Sequence, residues 1–127
     1  MIYLDANVLI RLLEGDLASR QPIEQRLAGE TAFLTSQLTR LECRCKPLRE
    51  GNAPLLALYD QAFASREMQV IEIDGRVIDE ATALRAAHNL KTPDAIHVAS
   101  AVVAGATVFL TGDAKIAAIS RIKVEVI

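Results

Sequence analysis

Short apolar runs alternate with longer stretches of helical period along the whole chain. The runs MIYL (1–4), AFLT (32–35), MQVIEI (68–73), TVFLT (107–111) and VEVI (124–127) have the length and β-branched content of strands. Between them apolar positions recur with helical spacing, which predicts helices at about 6–14, 22–28, 39–46, 53–66, 76–88, 93–104 and 114–120. Gly15, Gly29, Pro47, Gly51 and Gly105 supply the breaks. The order is strand then helix, repeatedly. A continuous run such as VIEI suits a strand covered on both faces, so the economical architecture is an α/β sandwich around a mostly parallel sheet. No repeat, low-complexity tract or linker interrupts this, and KPLREGNAP (46–54) reads as a connection only.

Composition narrows the picture. The 127 residues suit a single domain spanning 1–127, and 51% hydrophobic content with only 4% aromatic predicts a core of aliphatic side chains and alanine. The longest uncharged stretch, 95–112, contains His97, Ser100 and Gly105, so it reads as a buried helix followed by a strand rather than a membrane span. MIYLDANVLI has neither a basic n-region nor a small-residue cleavage site, and Cys43 and Cys45 do not make a disulfide framework. A cytoplasmic, reducing setting is expected. The net charge of −2 removes the simplest argument for a nucleic-acid binder, a strongly basic field. It leaves room for an enzyme on phosphodiesters that draws local positive charge from metal ions.

Four carboxylates stand out. Asp5 ends the first strand, Glu42 lies three residues after Thr39 with capping-box spacing, Asp94 follows Thr92-Pro93 at a helix start, and Asp113 follows TVFLTG. Singly, each reads as a helix cap or a partner of the helix dipole. Together they change the balance, because a parallel α/β sheet gathers strand C-termini and helix N-termini along one edge, where ligands bind. Clustered carboxylates repel one another, and a hard divalent cation is the simplest neutraliser.

IYLDANVLIRLL, SQLTRLECRC, LKTPDAIHVASA and TVFLTGDAKI, in this order and covering nearly the whole chain, resemble the PIN-domain ribonucleases. The small size is similar to the toxin member of a VapBC-type toxin–antitoxin pair. The resemblance implies a PIN-like three-layer sandwich and a metal-dependent endoribonuclease using Mg²⁺ or Mn²⁺. Asp5, Glu42, Asp94 and Asp113 would form its catalytic site, with Asp5, Asp94 and Asp113 holding the metal and Asn7 and Thr111 supporting them through hydrogen bonds. Glu42 would hold the attacking water or help deprotonate it, leaving 5′-phosphate and 3′-hydroxyl ends. The implied partners are RNA, an antitoxin protein whose C-terminal segment enters the groove, and a second copy in a homodimer, with no membrane. Two positions depart from the family: Gly112, where Asn is frequent, is expected to loosen the loop carrying Asp113, and Ile116, where an aromatic is frequent, to alter packing.

Other residues carry blander expectations. His97, one turn after Asp94, reads as structural or as a support for the site. Arg11, Arg40, Arg85 and Lys91 are candidate phosphate contacts whose alternative is a solvated helix face. Cys43 and Cys45 lack zinc-like partners, and the apolar stretch 54–64 suits either core burial or a partner surface. Competing readings are a catalytically silent PIN-like binding module, a receiver-type signalling domain phosphorylated on Asp74, and a haloacid-dehalogenase-like phosphatase with Asp5 as nucleophile. The last two are weakened by the lone acidic residue after the first strand, the missing Lys-Pro, and Asn7 in place of a second Asp.

Overall fold

The computed structural model describes all of residues 1–127. Five strands, β1 (Ile2–Leu4), β2 (Phe33–Ser36), β3 (Met68–Ile71), β4 (Val108–Thr111) and β5 (Lys123–Val126), form one sheet. Its order is β3-β2-β1-β4-β5 and every pairing is parallel, so the sheet is wholly rather than mostly parallel. The helices are α1 (Ala6–Glu14), α2 (Leu17–Leu27), α3 (Gln37–Arg49), α4 (Ala53–Ala64), α5 (Gly75–Ala87) and α6 (Thr92–Val103), with a 3₁₀ helix at Ala114–Ala118.

Chirality fixes the layers. Crossovers between parallel strands are right-handed, so connections moving in opposite directions along a sheet cover opposite faces. The chain steps outward from β1 to β2 to β3 and then returns across the sheet to β4 and β5. On one face Ile2, Leu4, Val108 and Leu110 pack with Val8, Leu9, Ile23, Cys43, Tyr59 and Phe63 from α1 to α4. On the other, Tyr3, Leu34 and Phe109 pack with Val77, Leu84, Val98 and Ala99 from α5 and α6, and with Ile116 from the 3₁₀ helix. Strand residues that alternate between two buried faces explain the unbroken apolar runs.

Several boundaries differ from the sequence expectation. Helix α2 begins at Leu17, not 22, because Asp16 caps it by accepting from Ser19 N at 2.9 Å. Pro22 sits inside it on the exposed side, so the Ala18 carbonyl that loses its partner faces water. Pro47 does not break α3: Thr39, Cys43 and Pro47 form its buried stripe at spacings of four, and the proline ring completes that stripe in the last turn. Ser36, not Thr39, caps α3, accepting from Thr39 N at 3.4 Å, so Thr39 and Glu42 make no capping box. Thr92 is likewise inside α6, whose preceding residue Lys91 offers no side-chain cap. Segment 114–118 is 3₁₀ rather than α-helical. Within α4, Tyr59 and Phe63 are core residues, while Leu58 stays 44% exposed beside an apolar cleft of about 430 Å³ shared with Leu12, Leu13 and Leu27.

Candidate active site

The site forms where the sheet changes direction. Strands β1 and β4 are neighbours, yet the chain leaves β1 into α1 on one face and β4 into the 3₁₀ helix on the other. That divergence opens a crevice at the C-terminal ends of the two strands. Asp5 is the first residue beyond β1, and its backbone N–H continues the ladder to Leu110 O at 3.0 Å. Only 5% exposed, its carboxylate accepts from three donors. Oδ1 accepts from Ala6 N at 2.8 Å, capping α1, while Oδ2 accepts from the Thr111 hydroxyl at 2.7 Å and from Asn7 Nδ2 at 3.0 Å.

Thr111 and Asn7 do more than support Asp5. The Thr111 oxygen accepts from Asp113 N at 3.0 Å and faces Asn7 Nδ2 at 3.3 Å. Asn7 Oδ1 accepts from Gly112 N at 2.6 Å. The loop after β4 is therefore pinned through its backbone, contrary to the loosening expected of Gly112. A Cβ at 112 would stand 3.1 Å from Asn7 Oδ1, so glycine gives the asparagine its room. Asp113 in turn caps the 3₁₀ helix by accepting from Lys115 N at 2.9 Å, and Ile116 is buried in the core.

Helix α6 brings Asp94 and His97 to the same crevice, one turn apart on one face. The Asp94 carboxyl has no hydrogen-bonding partner and is held above its ordinary range by partial burial, then by the charges of Asp113 and Asp5, with Lys91 and His97 opposing. His97 is 2% exposed; its Nε2 lies against Glu42 Oε1 and 3.7 Å from Asp5 Oδ1. A nitrogen facing two carboxylates carries a hydrogen, so in the neutral ring Nδ1 is the acceptor. It faces the Tyr3 hydroxyl at 3.0 Å and Thr39 Oγ1 at 3.5 Å. The Tyr3 hydroxyl is bonded in turn to Ser36 Oγ at 2.9 Å, so Tyr3, Ser36 and Thr39 form one buried network around Nδ1. Burial beside Asp5 and Glu42 holds Tyr3 well above the usual phenol range, so it stays a neutral hydrogen-bonding group.

The six expected site residues thus lie around one crevice, with Glu42 reaching it through His97. Sequence reasoning missed Tyr3, Ser36 and Thr39, which orient His97, although Tyr3 stood visibly as the one polar ring in the first strand. Of the expected phosphate contacts, Arg11 is spent on the carbonyls of Ile127 (2.5 Å) and Ser19 (3.2 Å). Arg40 is held by Gln37 Oε1 at 2.6 Å and Arg85 by Leu90 O at 2.9 Å. Cys43 is buried with its thiol pushed up to about 12 mainly by desolvation, and Cys45 is exposed; both are free.

No three His, Cys, Asp or Glu side chains stand close enough together to grip one ion by themselves. The donor set still fits a hard divalent cation, since it is all oxygen and leaves Asp94 repelled by Asp5 and Asp113. Mg²⁺ binds through one or two carboxylates and keeps several waters, so a closed cage is not required.

The fold and crevice define a parallel α/β domain with an acidic site at the switch point of its sheet. The family model described as the PIN domain matches residues 2–122, and the chain belongs to that family. In fold it is similar to a toxin–antitoxin complex from Klebsiella pneumoniae (24% identity, TM-score 0.78, covering 96% of this chain and 95% of that one). A DNA-bound VapBC from Salmonella typhimurium superposes with a TM-score of 0.82 at 18% identity (98% and 96% covered). Mycobacterium tuberculosis VapC20, described as a sarcin–ricin-loop-cleaving toxin, gives 0.75 at 15% identity (97% and 99% covered). No curated protein sequence matches the chain significantly. No helix is long and apolar enough to cross a membrane.

Proposed function

We propose that the chain is a divalent-metal-dependent endoribonuclease, Mg²⁺ or Mn²⁺ serving, and the toxin of a toxin–antitoxin pair, with all 127 residues acting as one PIN-like unit. The observation that carries this reading is the unpartnered Asp94 carboxyl, crowded by Asp113 and Asp5 at the switch point. A structural cap would have a backbone donor; Asp94 has none. Membership of the PIN family and the likeness in fold to VapBC toxins support the RNA substrate and the antitoxin partner.

Asp5, Asp94 and Asp113 would hold the cation, which supplies Lewis-acid stabilisation of the charge developing on phosphorus oxygens. The chain's own residues do the rest. Three donors fix Asp5 so that its carboxylate cannot rotate away. His97 holds Glu42 by Oε1, leaving Oε2 to orient a water and take its proton. The water oxygen bonds to phosphorus in line with the 3′ oxygen, the P–O3′ bond breaks, and the 3′ oxygen gains a proton. A 5′-phosphate and a 3′-hydroxyl result.

The test is cleavage of mixed tRNA and ribosomal RNA by the purified chain with Mg²⁺, with EDTA, and as Asp5→Asn and Asp94→Asn variants, with the product ends mapped. Metal-dependent cuts that carry 5′-phosphates and vanish in both variants are expected. Cyclic 2′,3′-phosphate ends, or variants that cut as well as the parent, would overturn the reading.

A further inference from the structure

A second cleft shares Asp94 with the acidic crevice. It has a volume of about 290 Å³ and is lined by Asp94, His88, Asn89, Lys91 and Lys115, with Leu90, Ala118 and Ile119 as its apolar part. Its wall is the turn between α5 and α6, where Asn89 adopts a left-handed φ of 31°. The hydrogen bond from Arg85 Nε to Leu90 O braces that turn. A non-glycine residue held in this region costs free energy and persists only where its surroundings demand it.

The cations decide what the cleft can take. Arg11, Arg40 and Arg85 are occupied by carbonyl or amide oxygens, as described above. Lys91 and Lys115 line the cleft and form no ion pair, even though Lys91 lies near enough to Asp94 to oppose its upward shift. Two free ammonium groups beside a crowded set of carboxylates are the local counter-charge a polyanion needs to approach that set. The apolar part and the His88 imidazole suit the flat face of a base, and an accessible base face requires an unstacked nucleotide.

We infer that this cleft is a nucleotide subsite: Lys91 and Lys115 engage phosphates flanking the scissile bond, and an unpaired base lies over Ile119 against His88. The inference rests on the nuclease reading for its choice of RNA, and what it adds is this cleft and the roles of Lys91, Lys115 and His88 in it. A duplex, whose bases stay stacked, cannot fill the cleft.

The test separates binding from cleavage. A short fluorescent single-stranded oligoribonucleotide is titrated by anisotropy in EDTA across a range of KCl concentrations. The proteins are the wild-type chain, Lys91→Ala, Lys115→Ala, the double variant, His88→Ala and, as control, Lys46→Ala on α3. The salt slope should fall by about 0.7 for each lysine removed, because each neutralised phosphate contributes that much on a single strand. His88→Ala should weaken binding roughly five- to a hundredfold, the range of one lost base stack. The control should match wild type, and the annealed duplex should bind more weakly than the single strand. Unchanged slopes in the double variant, equal duplex binding, or no binding by wild type would overturn the subsite. Mg²⁺-dependent cleavage with unchanged slopes would sink the cleft and keep the nuclease. Lysine-dependent binding without any cleavage would do the reverse.

Discussion

Replacing Thr111 by Val tests the joint on which the candidate site turns. The two side chains are nearly the same shape, so the change removes a hydroxyl and little else. That hydroxyl donates to Asp5 Oδ2 at 2.7 Å, accepts from Asp113 N at 3.0 Å and faces Asn7 Nδ2 at 3.3 Å, all at a residue with no exposure. A hydrogen bond to a carboxylate contributes about 1.5–3 kcal/mol and a neutral one about 0.5–1.5 kcal/mol, so the loss should total roughly 2–4 kcal/mol. A domain with about 5–15 kcal/mol of stability survives this, with Tm lowered by roughly 6–16 °C. Thr111→Ser is the control: it keeps the hydroxyl and loses one buried methyl, worth about 1 kcal/mol. Calorimetric melts of the three proteins, with RNA cleavage measured on each, should rank stability as wild type, Ser, Val, with activity retained by Ser and lost by Val. If Val melts with wild type, or Ser falls as far as Val, the hydroxyl does not tie Asp5 to Asp113 and the joint is misread.

The remaining expectations concern the charges around that joint. Folding raises the Asp94 carboxyl above its ordinary value, so the stability this gives is complete below about pH 4 and is lost as pH rises through the folded value. Asp94→Asn should therefore melt above wild type at pH 7 and converge with it near pH 4; a gap that widens on acidification would contradict the assigned cause. Mg²⁺ at a hundredfold excess over its Kd should stabilise wild type by about 2.7 kcal/mol, and the Asp94→Asn/Asp113→Asn chain should lose that gain. An equal rise from KCl at matched ionic strength would reduce it to screening. Glu42→Gln should keep its Tm, since the amide Oε1 can still accept from His97 Nε2, while kcat drops about 10²–10⁴-fold for loss of a general base. An unchanged kcat would remove Glu42 from the chemistry. Gly112→Ala should cost about 1 kcal/mol, because Asn7 must yield to the new Cβ while both ends of its amide are engaged.

What the sequence carried was whatever depends on neighbours in the chain. The strands were legible because a parallel sheet buries both faces and leaves apolar runs, and Asp5 and Asp113 because each directly follows such a run. Boundaries failed where a rule about proline met tertiary burial. Pro47 was read as a break because its ring removes a backbone donor, yet its place four residues after Cys43 on the buried stripe mattered more. For Glu42 the spacing from Thr39 suggests only a capping box, and its place in the site comes from the family resemblance, while its actual setting is a contact with His97, 55 residues away. Nothing local to Tyr3, Ser36 or Thr39 tells that they meet around His97. Their role exists only once α3 and α6 meet over β1 and β2, and periodicity cannot report which polar groups will meet across a crossover.

The site divides its carboxylates into two kinds, and that division has a physical consequence. Asp5 accepts from a backbone amide, an asparagine and a threonine, so the fold alone fixes its orientation. Asp113 is half committed, capping the 3₁₀ helix through Oδ1. Asp94 has neither donor nor ion pair and is repelled by both of the others. Like charges arranged this way on rigid elements cannot relax apart, because each is anchored by a strand end or a buried helix face. The structure therefore concentrates negative charge at the crevice, with His97 and Lys91 the opposing groups near Asp94. Under the proposed nuclease reading, a cation held by the three aspartates would offset it. The unpaired Lys91 and Lys115 lie just beyond Asp94, so the charge pattern along the crevice runs from acidic to basic. In the proposed reading, a phosphodiester chain laid across it would meet the cation at the scissile phosphate and the ammonium groups at the next ones, which would orient the strand before any base is read.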